Sequence, residues 1–138
     1  MKRLYVDTSA YLCVVLGEDR AAEMAKALDG AQLHSSVLLV LEARRNIVRL
    51  ARLGHVPPAR MNDLLAQVDD DMRAFTLRDV GIEICTDPTL PAVTTPRSLD
   101  LAHLRTALWF HRRQRLDGYL TLDEQQQGAA RELGLPVA

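Results

Sequence analysis

Cysteine is nearly absent from this chain of 138 residues, which has only Cys13 and Cys85. Two thiols inside apolar stretches exclude a disulfide framework and a zinc site; both are expected to be small core residues of a cytosolic protein. Long apolar runs are lacking too. The longest, Ala10 to Leu16, is about seven residues, against the roughly 20 that a membrane span needs. Lys2 and Arg3 ahead of it faintly mimic a signal peptide. Asp7 breaks the apolar region, however, and Glu18-Asp19 stand where small cleavage-site residues would be needed. The expectation is a soluble, cytoplasmic protein that keeps its N-terminus and has no membrane partner. Neither sign of charge dominates. With 17 basic and 18 acidic residues the net charge is −1, which excludes a polycation that coats nucleic acid through bulk charge. Lysine is scarce, only Lys2 and Lys26, and arginine in its place carries no nucleic-acid inference by itself. Internal repeats and low-complexity segments are missing.

What is present suits one ordinary domain, residues 1–138, with 48% apolar and 25% charged residues and enough chain to bury a core unaided. Leu4-Tyr5-Val6 is a short β-favouring run ending on Asp7. Thr8 and Ser9 offer N-cap oxygens for a helix that Gly17 stops. A second helix is expected from Glu18 or Asp19 to Leu28. A strand follows at Gln32 to His34, and Ser35-Ser36 would cap a long helix over Val37 to Leu53. Pro57-Pro58 separates this from a helix around Ala59 to Leu77. Alternation predicts a third strand over Val80 to Cys85. Asp87 to Pro96 reads as an irregular loop, Leu99 to Arg112 as a helix, and Gly118 to Leu122 as a strand. Asp123 to Leu133 is expected to be helical and Leu135 to Val137 a final strand. Short apolar strands alternating with helices indicate an α/β fold with a parallel sheet covered on both faces. Its ligand site belongs beyond the carboxyl ends of the strands.

Four carboxylates fall at that edge. Asp7 ends the first strand and Asp123 follows the Gly118 strand. Glu42 lies in the first turns of the long helix, and Asp100 in the first turn of the Leu99 helix. Each alone has a plainer account as a capping or surface acid. Together at one edge they would repel unless cations sat among them, which raises carboxyl pKa values. An all-oxygen set suits Mg²⁺ or Mn²⁺ rather than zinc.

The same residues carry a family resemblance. Tyr5-Val6-Asp7-Thr8-Ser9-Ala10 resembles the opening of PIN-domain proteins, and Ser35-Ser36 with Glu42 is similar to their second acidic element. Leu99-Asp100-Leu101-Ala102-His103-Leu104-Arg105-Thr106-Ala107 resembles the third. Thr121-Leu122-Asp123, then Ala129-Ala130 and Gly134-Leu135-Pro136-Val137, resembles the closing segment. The order is kept along nearly the whole chain, and the single-domain length most resembles the VapC toxins of toxin–antitoxin pairs. Arg105 departs from the pattern by standing where the family often has a small residue, which would alter packing or add a surface contact. The 87–96 stretch does not align.

The resemblance implies a PIN-like three-layer α/β/α sandwich with a central parallel sheet of four to five strands. It also implies an Mg²⁺- or Mn²⁺-dependent endoribonuclease acting on RNA of the tRNA or rRNA class, neutralised by a cognate VapB-like antitoxin and forming a homodimer. Asp7, Glu42, Asp100 and Asp123 would hold the metal. Ser9 would orient Asp7 or a water at the metal, with Thr121 a weaker candidate. One alternative is a catalytically inactive PIN-like module that binds RNA or protein. Another is a phosphotransfer or receiver domain using Asp7, disfavoured by Ser9 and by the lack of a suitably placed lysine.

Further residues have ordinary readings. His103, one turn from Asp100, is expected to be a buried, partner-satisfied histidine, while His34, His55 and His111 lack metal-site spacing. Asp69-Asp70-Asp71 reads as a solvated helix face. Arg112, Arg113 and Arg115, and Arg44, Arg45, Arg49 and Arg52, read as solvated surfaces with phosphate contact as the alternative. The faces carrying Leu38, Leu41, Arg45 and Val48 with Leu64, Leu65 and Val68 read first as core, second as a dimer or antitoxin face.

Overall fold

Leu4, Tyr5 and Val6 are all buried, so the strand that carries them lies inside a sheet rather than at its edge. In the computed structural model, which describes residues 1–90, 93, 95 and 97–137, this strand is β1 (Arg3–Val6). It pairs in parallel with β2 (Gln32–Ser36) on one side and β4 (Gly118–Leu120) on the other. The edge strand β3 (Phe75–Arg78) pairs in parallel with β2, giving the order β3-β2-β1-β4. Gly118 lets β4 sit close to β1, because a Cβ there would meet Leu4 Cδ2 at 2.9 Å.

Strand side chains alternate between the two faces. Leu4 and Val6 join a core with residues of α1 (Thr8–Leu16), α2 (Ala21–Leu28), α3 (Leu38–Arg52) and α4 (Pro58–Asp71). Tyr5 joins a second core with residues of α6 (Ser98–Arg113) and α7 (Glu124–Glu132), beyond the short α5 (Ile82–Thr86). Tyr5 and Tyr119 stack there with ring centroids 5.2 Å apart. The result is an α/β chain with a four-stranded parallel sheet between two helical layers. Leu64 and Val68 are core residues, whereas Leu41 is 67% exposed.

Several local expectations are corrected. The helix predicted to reach Leu77 ends at Asp71, a 3₁₀ turn follows at Met72–Ala74, and Phe75–Arg78 is the third strand. Leu77 pairs with Ser35, and the Phe75 ring meets Tyr11 edge-on at 6.1 Å. Long-range pairing thus outweighs helical continuity. Val80 to Cys85 is not a strand; it runs into α5, where Ile84 is buried and Cys85 exposed. Only Cys13 of the two thiols is a core residue. Ser35-Ser36 belong to β2, although Ser36 Oγ does accept from the Leu38 amide at 3.1 Å. The final strand shrinks to one bridge, Tyr119 with Val137. Residues 91, 92, 94 and 96 of the expected loop lie outside the described residues.

Arg105 gives the departure noted above a structural role. Its guanidinium donates to the carbonyls of Ile84, Leu90 and Asp87 at 2.7, 2.8 and 2.8 Å, tying α5 and the chain after it onto α6. Charge-assisted bonds of this kind are worth more than neutral ones. Arg105→Ala is therefore expected to cost on the order of 2 kcal/mol. Hydrogen exchange should rise in residues 82–90 well above the rest of the chain. Uniform exchange across the chain would show that Arg105 does not hold this segment.

Candidate active site

Asp7 leaves β1 and caps α1 itself, in place of the expected Thr8 or Ser9. Its Oδ1 accepts from the Ala10 amide at 3.0 Å and from the Ser9 hydroxyl at 2.7 Å. Ser9 Oγ also accepts from the Leu122 amide at 3.0 Å and lies 3.2 Å from Thr121 Oγ1. Ser9 thus fastens Asp7 to the turn after β4. Asp7 is only 6% exposed. Burial pushes its carboxyl up from the ordinary range, and the Thr121 and Ser9 hydroxyls and the Ala10 amide offset this only in part. The expected rise is present at Asp7, with burial as its cause rather than repulsion between neighbouring carboxylates.

Glu42 projects from α3, with Oε1 2.7 Å from His103 Nε2 and 3.0 Å from the donating Thr8 hydroxyl. Burial would raise this carboxyl, but the His103 and Thr8 donors and nearby positive charge win, holding it below the ordinary range. His103 is 2% exposed, and its Nδ1 lies 2.7 Å from the Tyr5 hydroxyl. Burial pushes the Tyr5 phenol well up, so it keeps its proton. One arrangement of the His103 ring nitrogens satisfies both partners: Nδ1 accepts from Tyr5 and Nε2 donates to Glu42. This is the expected buried, partner-satisfied histidine.

Asp100, in the first turn of α6, accepts from Arg97 Nε at 3.1 Å. Asp123 caps α7, accepting from the Gln125 and Gln126 amides, and its Oδ2 is 3.6 Å from Arg97 Nη2. One guanidinium thus spans two carboxylates. Gln126, buried beneath them, donates to the Asp100 carbonyl at 2.9 Å and to the Tyr119 hydroxyl at 3.1 Å, holding the starts of α6 and α7 together.

All five sequence candidates, Asp7, Ser9, Glu42, Asp100 and Asp123, line one cleft of about 700 Å³. The cleft opens where β1 and β4 end. Among the described residues, no three acidic, histidine or cysteine groups stand close enough together to hold a metal ion as they are. Each acid is instead engaged within the chain: Asp7 by a helix start, Glu42 by His103, and Asp100 and Asp123 by Arg97.

Other expected clusters separate. Asp69 pairs with Arg44 and Asp70 with Arg73, while Asp71 accepts from the Tyr11 hydroxyl at 2.7 Å. The triad is therefore tied into the fold rather than being a bare solvated face. Arg112 binds Thr89, and Arg113 lies 3.7 Å over the Trp109 ring. Sequence reasoning missed Thr8, Tyr5 and Arg97 as parts of the site. Only Arg97 left a signal, three residues before Asp100 at ion-pair spacing.

No known family's model matches the chain, and no curated protein matches it either. No helix among the described residues is long and apolar enough to cross a membrane.

Proposed function

We propose that the cleft is the active site of a divalent-metal-dependent endoribonuclease of the PIN type. One observation carries this reading: acids from four separate elements line a single cleft at the carboxyl edge of a parallel sheet, where such folds bind ligands. The donor set fits Mg²⁺ or Mn²⁺, being carboxylate oxygen throughout. A cation already lies between two of the acids, in the form of the Arg97 guanidinium. Asp7, Asp100, Asp123 and Glu42 would hold the ion. Such an ion supplies an acidified water and offsets charge developing on the phosphate.

The chain's own residues prepare the site. Ser9 and the Ala10 amide fix Asp7, His103 and Thr8 fix Glu42, and Arg97 bridges Asp100 and Asp123. The finer setting we propose is a cytoplasmic VapC-like toxin, homodimeric and silenced by a VapB-like antitoxin. Leu41 and Leu99, both exposed beside the cleft at 67% and 46%, support a docking face there.

The test is RNA cleavage with Mg²⁺ or Mn²⁺ and with excess EDTA, run beside thermal melts. Cleavage should require the metal. Millimolar Mn²⁺ should also raise the melting temperature with concentration, since an ion at about 100 times its Kd stabilises by about 2.7 kcal/mol. Undiminished cleavage in EDTA would overturn the reading. The Arg97 bridge favours one other reading, a PIN-like module that binds RNA or protein without cutting. RNA bound yet intact in Mn²⁺, with no thermal shift, is the result that would establish it.

A further inference from the structure

Of the four arginines of α3, Arg52 lies outside the cleft. Arg44 is bound to Asp69 at 2.6 Å. Arg45 and Arg49 are exposed, line the cleft, and make no side-chain hydrogen bond or ion pair among the described residues. They continue a stripe that begins at Glu42, because positions three, four and seven along a helix share a face. Their separation along the axis is about 6 Å at 1.5 Å per residue, a step comparable to that between consecutive phosphates of an extended strand. Leu39, Ala43 and Ile47, on the opposite side of α3, are fully buried, so the stripe is fixed in direction relative to the acids.

We infer that Arg45 and Arg49 grip the backbone of single-stranded RNA, seating two consecutive phosphates on one side of the phosphate held at the acids. This rests on the ribonuclease reading of the cleft and names its substrate track. The electrostatics require such a pair. Four carboxylates repel a polyanion, and a cation at their centre answers only the phosphate it touches. The neighbouring phosphates need fixed positive charge that is not already spent. Arg97 is spent on Asp100 and Asp123; Arg45 and Arg49 are not. Asp7 is the one buried acid of the four, at 6% exposure. Among the described residues no Phe, Tyr or Trp lines the cleft, and its one histidine, His103, is buried at 2% exposure, so the grip is on phosphate rather than on stacked bases.

The experiment measures binding of a fluorescent single-stranded RNA 12-mer in EDTA, from low to moderate salt, by anisotropy. It compares the wild type, Arg45→Gln/Arg49→Gln, and Arg60→Gln/Arg131→Gln. The last pair changes charge equally at two exposed arginines outside the cleft. Each phosphate contact on a single strand contributes about 0.7 to the slope of log affinity against log salt. The Arg45/Arg49 variant should therefore lose about 1.4 from that slope and bind more weakly at every salt concentration. The control pair should keep the wild-type slope. Equal losses in the two variants would reduce the effect to overall charge and overturn the inference, as would a wild type that does not bind the 12-mer at low salt. A protein that binds in this manner but never cleaves in Mn²⁺ leaves the inference standing and removes the ribonuclease reading. One that cleaves, with an unchanged slope in the Arg45/Arg49 variant, does the reverse.

Discussion

Asp7→Asn is expected to lower metal-dependent RNA cleavage by roughly 10³-fold, the size of several kcal/mol of lost transition-state charge stabilisation, while making the metal-free protein more stable. The two effects separate because Asp7 does two jobs. As a helix cap it needs only an acceptor oxygen, which asparagine keeps for the Ala10 amide and the Ser9 hydroxyl, and the two residues cap equally well. As a charge it is buried, and burial raises its carboxyl pKa in the folded state. An acid whose folded pKa lies above its unfolded value costs stability at pH above the folded value. That cost is relieved as pH falls through the folded value toward the unfolded one. Glu42 works in the opposite direction. Its folded pKa is depressed, so its contribution is present above the unfolded value and lost as pH falls through the folded one. Thermal melts in EDTA at neutral and mildly acidic pH should show the Asn variant ahead at neutral pH, with its lead shrinking on acidification. A variant that is both inactive and clearly less stable would reduce Asp7 to a structural cap.

His103→Ala should be the most damaging substitution beneath the site, costing about 3 kcal/mol from unsatisfied buried groups and a cavity. It strips a partner from the Tyr5 hydroxyl and from Glu42 Oε1 at once, both 2.7 Å contacts in a nearly dry environment. Tyr5→Phe removes only the hydroxyl and should cost about 1–2 kcal/mol. Urea denaturation measures both. If His103→Ala fell within about 0.5 kcal/mol of wild type, as an ordinary surface substitution does, the Tyr5–His103–Glu42 chain would not be what holds Glu42 in place. Cleavage by the two variants adds a second reading of the same network. Loss should follow the displacement of Glu42, so Tyr5→Phe, which leaves the His103–Glu42 contact intact, should retain more activity than His103→Ala.

Sequence alone determined the parallel α/β plan, since short apolar strands and amphipathic helices leave few ways to cover both faces of a sheet. It also placed Asp7, Ser9, Glu42, Asp100 and Asp123 at one edge, because a residue that ends a strand or starts the next helix must emerge at the carboxyl side. Three matters were decided only in three dimensions. Phe75–Arg78 became a strand because β2 offered it a partner, and no local preference encodes a partner more than 35 residues away. The state of each acid depended on what other elements brought to it: His103 from α6 to Glu42, and the guanidinium of Arg97 to Asp100 and Asp123. The sorting of arginines into spent and available followed the same rule, Arg44 meeting Asp69 while Arg45, the next residue, turned to the cleft. Helical and strand periods are local and can be read along the chain. Ion pairs, burial and proton affinity are properties of neighbours in space, and the folded chain alone supplies those neighbours.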